Sequence, residues 1–385
     1  MKRVFLLLTA ILVIMSVFVG CSLTAGNSNT IKLGVNYELS GAVATYGRSS
    51  VEGIELAIEE INSAGGIDGK EIELIKYDNK SDVAEATTLT TKLMTQDKVL
   101  AVMGPATSGA FMGTLPVAEQ NKIPAVSGSA TADEVTADEN GVKEYAFRIC
   151  FSDSYQGTGM ANYALNNLNK SKAVIVMDSS SDYGKGLAEN FIKTFEAGGG
   201  VIVAQEAYMA GDTDFNSIIT KVKGEDFDVI FIPGYYEEAG LIIKQAREQG
   251  IDVPILGADG FDSPELVNLA GKEALNNVYF SNHYSSLDQD PVVQNFIKAF
   301  EKKYDKQPDA FHALGYDLAR FVVEGIKHAE KLDGQSVKAA LEATTNFNGV
   351  TGNFSVDENH NAIKALVVIE LKDGAQYSSE RLSMD

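Results

Sequence analysis

Three hydroxyl residues, Ser108, Ser129 and Thr131, fall on turns that follow the adjacent strand-like runs Val99–Met103 and Ile123–Val126. Hydroxyls and backbone N–H groups gathered at such turns can converge on a carboxylate. Taken singly, each is as well explained as a cap on the helix that follows. Asp259 stands after another apolar run, Pro254–Gly257, where its carboxylate can accept from an ammonium; as Asp259-Gly260 it is also a common turn former. Donors for a carboxylate and an acceptor for an ammonium are together what an amino-acid zwitterion needs.

Groups that break bonds are scarce. The four histidines, His283, His312, His328 and His360, have no second His or Cys at metal-ligand spacing. There is no G-x-S-x-G elbow, no Walker A loop and no CxxC. Gly157-Thr158-Gly159 opens like a dinucleotide fingerprint but continues Met-Ala-Asn without a strong preceding strand. Glu237 and Glu238 sit at a predicted helix start, where acids suit the macrodipole. No metal, cofactor or catalytic residue is expected, and the chain reads as a binder and not as an enzyme.

The N-terminus bears on location. Lys2 and Arg3 precede an apolar run, Val4–Val19, shorter than the roughly 20 residues of a membrane span. Such a start reads as a signal peptide, 1–20. Val19-Gly20-Cys21-Ser22 resembles a bacterial lipobox, which would make Cys21 the acylated N-terminus and 21–30 a flexible tether; ordinary cleavage beside an accidental thiol is the alternative. The expected location is extracytoplasmic, lipid-anchored to the cell membrane. Cys150 is the only other cysteine, so stability must come from a core and not from disulfides. The formal charge is −21, or −23 once Lys2 and Arg3 are removed, which argues against nucleic acid and anionic lipid as partners. About 360 mature residues at 45% hydrophobic content imply two lobes.

Elements that would position these groups alternate along the chain. Strand-like Ile31–Leu39, Glu71–Tyr77, Val99–Met103 and Ile123–Val126 are interleaved with helical Ser49–Ser63, Val83–Met94 and a segment ending near Gln120. Ser49 and Glu52 have capping-box spacing. A second series runs from a helix at Tyr155–Leu168 through strands Ala173–Met177, Val201–Gln205, Val229–Ile232 and Pro254–Gly257, with helices between them. Strand–helix–strand order at this spacing predicts parallel sheets with helices on both faces. Three consecutive helices follow, Val292–Tyr304, Phe311–Ala329 and Ser336–Ala343. They cannot continue that series and are expected to pack on the first lobe. A hairpin-like Phe354–Asn361 and a strand Ile363–Leu371 close the chain.

Short motifs recur at the strand ends. They are Leu39-Ser40-Gly41 with Tyr46-Gly47, Gly65-Gly66-Ile67-Asp68-Gly69-Lys70, Tyr77-Asp78-Asn79, Gly104 with Thr107-Ser108, and Ser127-Gly128-Ser129-Ala130-Thr131. Asp182-Tyr183-Gly184-Lys185-Gly186, Gly234-Tyr235 and Gly257-Ala258-Asp259-Gly260 follow in the second series. In this order, over roughly 31–375, the chain resembles the type I periplasmic binding proteins of branched-chain amino acid ABC transporters, the leucine/isoleucine/valine-binding family.

The resemblance implies an α/β, two-lobed fold with three hinge crossings, near 148–153, 281–285 and 347–352. The N-terminal lobe would comprise 31–150 plus 284–348 and the C-terminal lobe 151–283 plus 349–385. It implies that Ser108 and Thr131 hold a ligand carboxylate. Asp259, where the family usually has a longer acid, would accept the ammonium with the Ser129 carbonyl, Tyr183 and Tyr235. Tyr46, Thr107 and Phe311 would line the side-chain pocket, with Phe261 a looser candidate. Tyr155 and Gln156 would lie near the hinge, and His312 would give the pocket a polar neighbour that widens the ligand class. The implied partners are a small amino-acid-like ligand and an ABC permease, with the chain itself a monomer. A sensory module of the same fold, or an amide, urea or aromatic-acid ligand, is the alternative.

Overall fold

The computed structural model describes residues 30–382. The signal segment, Cys21 and the tether up to Asn29 lie outside the described residues.

The first sheet is built from β1 (Thr30–Tyr37), β2 (Glu71–Asp78), β3 (Val102–Met103), β4 (Ala125–Ser127) and β5 (Ala146–Arg148). Its order is β2-β1-β3-β4-β5, parallel throughout. Helices α1 (Ala44–Ser63), α2 (Val83–Lys92) and α3 (Ser108–Asn121) make its crossovers. Leu33, Val35 and Tyr37 of β1 are fully buried, because a central parallel strand is covered on both faces.

The second lobe opens with α4 (Asp153–Asn162), followed by β6 (Lys172–Asp178), α5 (Asp182–Ala197), β7 (Val201–Tyr208) and α6 (Asn216–Val222). Next come β8 (Val229–Phe231), α7 (Tyr236–Glu248), β9 (Ile255–Gly257), α8 (Pro264–Ala270) and β10 (Val278–Asn282). Then α9 (Pro291–Tyr304), α10 (Ala310–His328) and α11 (Gly334–Glu342) run in succession. The hairpin β11 (Phe347–Gly349) and β12 (Gly352–Phe354) leads to β13 (Leu366–Lys372) and β14 (Ala375–Leu382). The second sheet has the order β14-β13-β10-β9-β8-β6-β7, with β13 and β14 antiparallel to their neighbours. Both lobes are therefore mainly parallel sheets covered by helices, joined where the chain passes between them.

In each sheet the strand order reverses beside a central strand, between β1 and β3 in one and between β6 and β8 in the other. Loops diverge at such a switch point and leave a crevice at the carboxyl ends of the strands.

Several local expectations change. Helix α1 starts at Ala44, so Ser49 and Glu52 are not a cap. They serve a neighbour instead: Ser49 Oγ donates to Asp309 Oδ2 at 2.9 Å, and Glu52 pairs with Lys306 and His312. The expected hairpin-like turn is present as an antiparallel bridge between Val356 and Ala362, and a further hairpin, Phe347–Phe354, precedes it, with Phe347 and Phe354 both packed on Phe321 of α10. Asp317, fully buried on α10, accepts the N–H groups of Val350 and Thr351 at 2.9 and 2.8 Å. His360 Nδ1 lies 2.9 Å from Ala146 O, and Arg148 Nε donates to Asn361 at 2.7 Å. These contacts tie 350–361 to the first lobe, so the third crossing comes between Asn361 and Leu366, later than 347–352. The sequence of the antiparallel strand β14, AQYSSERL, is exposed and polar without apolar alternation, so it carries no strand signal of its own.

Candidate ligand-binding site

The first-lobe wall is a set of turns fastened to one another. Glu38, buried just after β1, accepts from Ala106 N at 3.0 Å, Thr107 N at 3.1 Å and Thr107 Oγ1 at 3.0 Å. Burial raises the Glu38 carboxyl, and those backbone bonds oppose the shift. Ser127 Oγ joins the next two turns, donating to Pro105 O at 2.7 Å and accepting from Ala130 N at 3.1 Å. Ser129 Oγ donates to Ala106 O at 3.0 Å. Ser108 Oγ, at the first residue of α3, accepts from Ala132 N at 3.1 Å, which leaves its own hydrogen free. The helix N-terminus beside it has spare N–H donors and a partial positive charge.

The second-lobe wall carries Asp259. Its Oδ1 accepts from Tyr183 Oη at 2.7 Å and Gln156 Nε2 at 3.2 Å. His283 Nε2 lies 3.2 Å from its Oδ2. Burial drives the His283 pKa down to about 4, so the ring is neutral near pH 7 and Nε2–H is the donor to the carboxylate. His283 stacks on Phe151 at 3.7 Å, and Tyr183 stacks on Tyr235 at 4.9 Å.

Contacts between the lobes hold the crevice nearly shut. Tyr46 Oη donates to Gly260 O and accepts from Tyr236 N at 3.3 Å. Tyr236 Oη donates to Ala42 O at 3.0 Å, and Ala310 N donates to Asp262 Oδ2 at 2.9 Å. What remains is a cavity of only about 10 Å³. A ligand larger than water must enter while the lobes stand further apart.

Eight of the nine residues singled out in the sequence line this cavity: Tyr46, Thr107, Ser108, Ser129, Tyr183, Tyr235, Asp259 and Phe311. Tyr46 and Phe311 stack at 4.2 Å to form its apolar side. Thr107 lines it with its hydroxyl already committed to Glu38. Thr131 is not on the wall; its Oγ1 is buried behind it without a partner. Ala106 and Gly260 complete the lining; Gly260 belongs to the Gly257–Gly260 motif, whereas Ala106 carried no sequence signal. Phe261 is core, packed on Phe280 at 6.1 Å. Gln156 reaches Asp259 from the hinge, and Tyr155 packs on Phe151 instead. Cys150 is buried, bonds Ala130 O at 3.3 Å, and burial pushes its thiol up to about 12, where a thiolate is not available. Among the described residues no cluster of three or more His, Cys, Asp or Glu could hold a metal.

His312 turns away from the cavity, so its polarity does not reach the ligand pocket. Its Nδ1 lies 2.7 Å from Asp309 Oδ1 and its Nε2 3.0 Å from Glu52 Oε2. Asp309 N, 3.0 Å from Nδ1, cannot donate to it once that nitrogen is protonated. Burial opposes the charge, but the two carboxylates outweigh it and raise the pKa to about 9. A folded value above the unfolded ~6.5 stabilises fully below pH 6.5, and that contribution is lost as pH rises through 9. Calorimetric melting from pH 6.5 to 9.5 should show a loss on the order of 2 kcal/mol that is absent in His312→Gln. Parallel curves for the two chains would remove this ion cluster from the stability account.

A cavity between two α/β lobes, with hydroxyls and a helix N-terminus on one wall and a carboxylate on the other, defines a two-lobed solute-binding protein. The chain belongs to the periplasmic binding protein family, whose model matches residues 30–376. It is 31% identical to the leucine-, isoleucine-, valine-, threonine- and alanine-binding protein of Pseudomonas aeruginosa, over 86% of this chain and 87% of that protein. Among solved structures it is similar to the branched-chain amino acid transporter substrate-binding protein LivJ from Streptococcus pneumoniae in complex with isoleucine. That match has a TM-score of 0.87 and 43% identity, and covers 92% of this chain and 99% of the other. The leucine-binding protein LivK from Thermotoga maritima matches with a TM-score of 0.85 and 34% identity, over 92% and 98% of the two chains.

Proposed function

We propose that this chain is the substrate-binding component of an ABC importer, capturing a branched-chain amino acid outside the cytoplasm and delivering it to a membrane permease. The observation that carries this reading is the polarity of the cavity: Ser108 and the α3 N-terminus face Asp259 across a space walled by Tyr46, Tyr235 and Phe311. In this reading the ligand carboxylate docks on Ser108 and the first-turn N–H groups of α3. Its ammonium docks on Asp259 and its aliphatic side chain lies against the aromatic rings. The lobes close on the solute as rigid bodies about the three crossings, and the chain performs no catalysis. The acylated Cys21 keeps a monomer at the membrane surface.

The energetics suffice. A ligand of about nine heavy atoms has a ceiling near −13 kcal/mol, beyond the roughly −8 kcal/mol of micromolar binding. A thermal-shift screen against all amino acids, acetamide, urea and benzoate tests the reading. Leucine, isoleucine or valine at about 100 times its dissociation constant should add roughly 2.7 kcal/mol of stability. A shift with only an amide, urea or aromatic acid overturns the ligand class, and no shift with any compound overturns the binding role.

A further inference from the structure

Two carboxylates are buried side by side at the hinge end of the cavity, and only Asp259 belongs to its wall. Asp153, in the first turn of α4, is fully buried and shares one amide nitrogen with it. Gln156 Nε2 donates to Asp153 Oδ1 at 2.9 Å and to Asp259 Oδ1 at 3.2 Å. Gln156 is held in turn by Ser281, whose Oγ donates to its Oε1 at 2.7 Å. Asp153 Oδ2 and Thr131 Oγ1 make no well-formed hydrogen bond; the Thr131 hydroxyl, on the neighbouring turn whose carbonyl accepts from Asp153 N at 2.8 Å, offsets only part of the cost of the buried charge.

The charged and titratable groups around the pair do not neutralise it. Arg148 spends its guanidinium on the carbonyls of Thr131 and Ala132, both at 2.8 Å, and on Asn361. Lys364 Nζ donates to Thr351 Oγ1 at 2.8 Å and forms no ion pair with either acid; among carboxylates it feels Asp317 most and Asp259 less. His283 is neutral, Asp133 adds negative charge, and Cys150, Tyr46, Tyr183 and Tyr235 carry none near neutral pH. Two like charges so placed, without a counter-ion against either, cannot both ionise cheaply. Burial, and then the charge of Asp259, push the Asp153 carboxyl well above the usual carboxylate range.

We infer that ligand capture is an exchange of a cation for a proton: the empty Asp153–Asp259 pair holds one proton, and the arriving ammonium expels it to solvent. The inference rests on the reading of Asp259 as the ammonium acceptor. The charges balance, since the ammonium enters intact, the pair passes from one negative charge to two, and one proton leaves. Affinity then falls as pH falls, by about tenfold per unit where the empty pair is the more protonated state. A carboxylic acid without an amino group has nothing to exchange, so its binding would release no proton.

Titration calorimetry of the intact chain with leucine at pH 7, in buffers of different ionisation enthalpy, reads the exchange directly. The expected result is close to one proton released per leucine bound. In Asp153→Asn the release should fall to near zero while leucine still binds. Heat independent of buffer in the native chain would overturn the inference, and so would full release in Asp153→Asn, which would place the proton on another group. Absence of leucine, isoleucine and valine binding at every pH is a different outcome: it overturns the reading of the site itself.

Discussion

Asp259→Ala weakens leucine binding roughly ten- to a hundredfold. The estimate follows from the loss of one charge-assisted hydrogen bond to an ammonium, worth about 1.5–3 kcal/mol in a buried site. The environment makes this acid a dedicated acceptor. Tyr183, Gln156 and His283 all donate to it, so its two oxygens are fixed in place and their remaining lone pairs are available to the ligand. The alanine variant also leaves those three donors without an acceptor, which disfavours the closed lobes. Asp259→Asn keeps the shape and loses the charge, and it should fall on the weak side of the native chain by a similar factor. Dissociation constants from calorimetry check both variants, with circular dichroism to establish that each is folded. An unchanged constant in either would take Asp259 out of the ligand's contacts.

The second large effect lies in the helix pair behind the aromatic wall. At Gly315 an added Cβ would sit 2.0 Å from Ser50 O and 2.7 Å from Ser50 C; at Gly53 it would sit 2.0 Å from His312 O. Both contacts are to backbone, so no side chain can swing aside and α1 must separate from α10. Overpacking of this kind costs about 3 kcal/mol at the upper end of its usual range. Gly315→Ala should therefore lower the melting temperature by roughly 4 °C. Tyr46 sits on α1 and Phe311 on α10, so separating the helices also pulls apart the 4.2 Å stack beside the cavity. Scanning calorimetry measures the loss, and a melting temperature within a degree of the native value would show that the helices part without strain.

What the sequence disclosed follows from local rules. Alternating strands and helices dictated two covered parallel sheets, and Ser108, Ser129 and Asp259 were legible because each follows a strand at the carboxyl edge. Tyr183, Tyr235, Tyr46 and Phe311 came with the family motifs. Residues whose role depends on chain crossings stayed hidden. Gln156 and Asp259 are separated by 103 positions, and Asp153 and His283 meet the site only because two hinge segments run side by side. Their burial has no signature in a single chain, where an isolated Asp or His reads as a surface residue. Ser49, Glu52 and His312 misled for the opposite reason. Their spacing suits caps and pockets, but Asp309, far from Ser49 in the chain and three residues before His312, draws both into the joint between α1 and α10.

The central claim is that a branched-chain amino acid lies between the lobes with its carboxylate on the first and its ammonium on the second. A crystal structure with isoleucine bound tests it most directly. The account predicts a carboxylate oxygen within hydrogen-bonding distance of Ser108 Oγ, the ammonium against Asp259, and the side chain between Tyr46, Tyr235 and Phe311. Isoleucine in the reverse orientation, or bound anywhere outside this crevice, would contradict it.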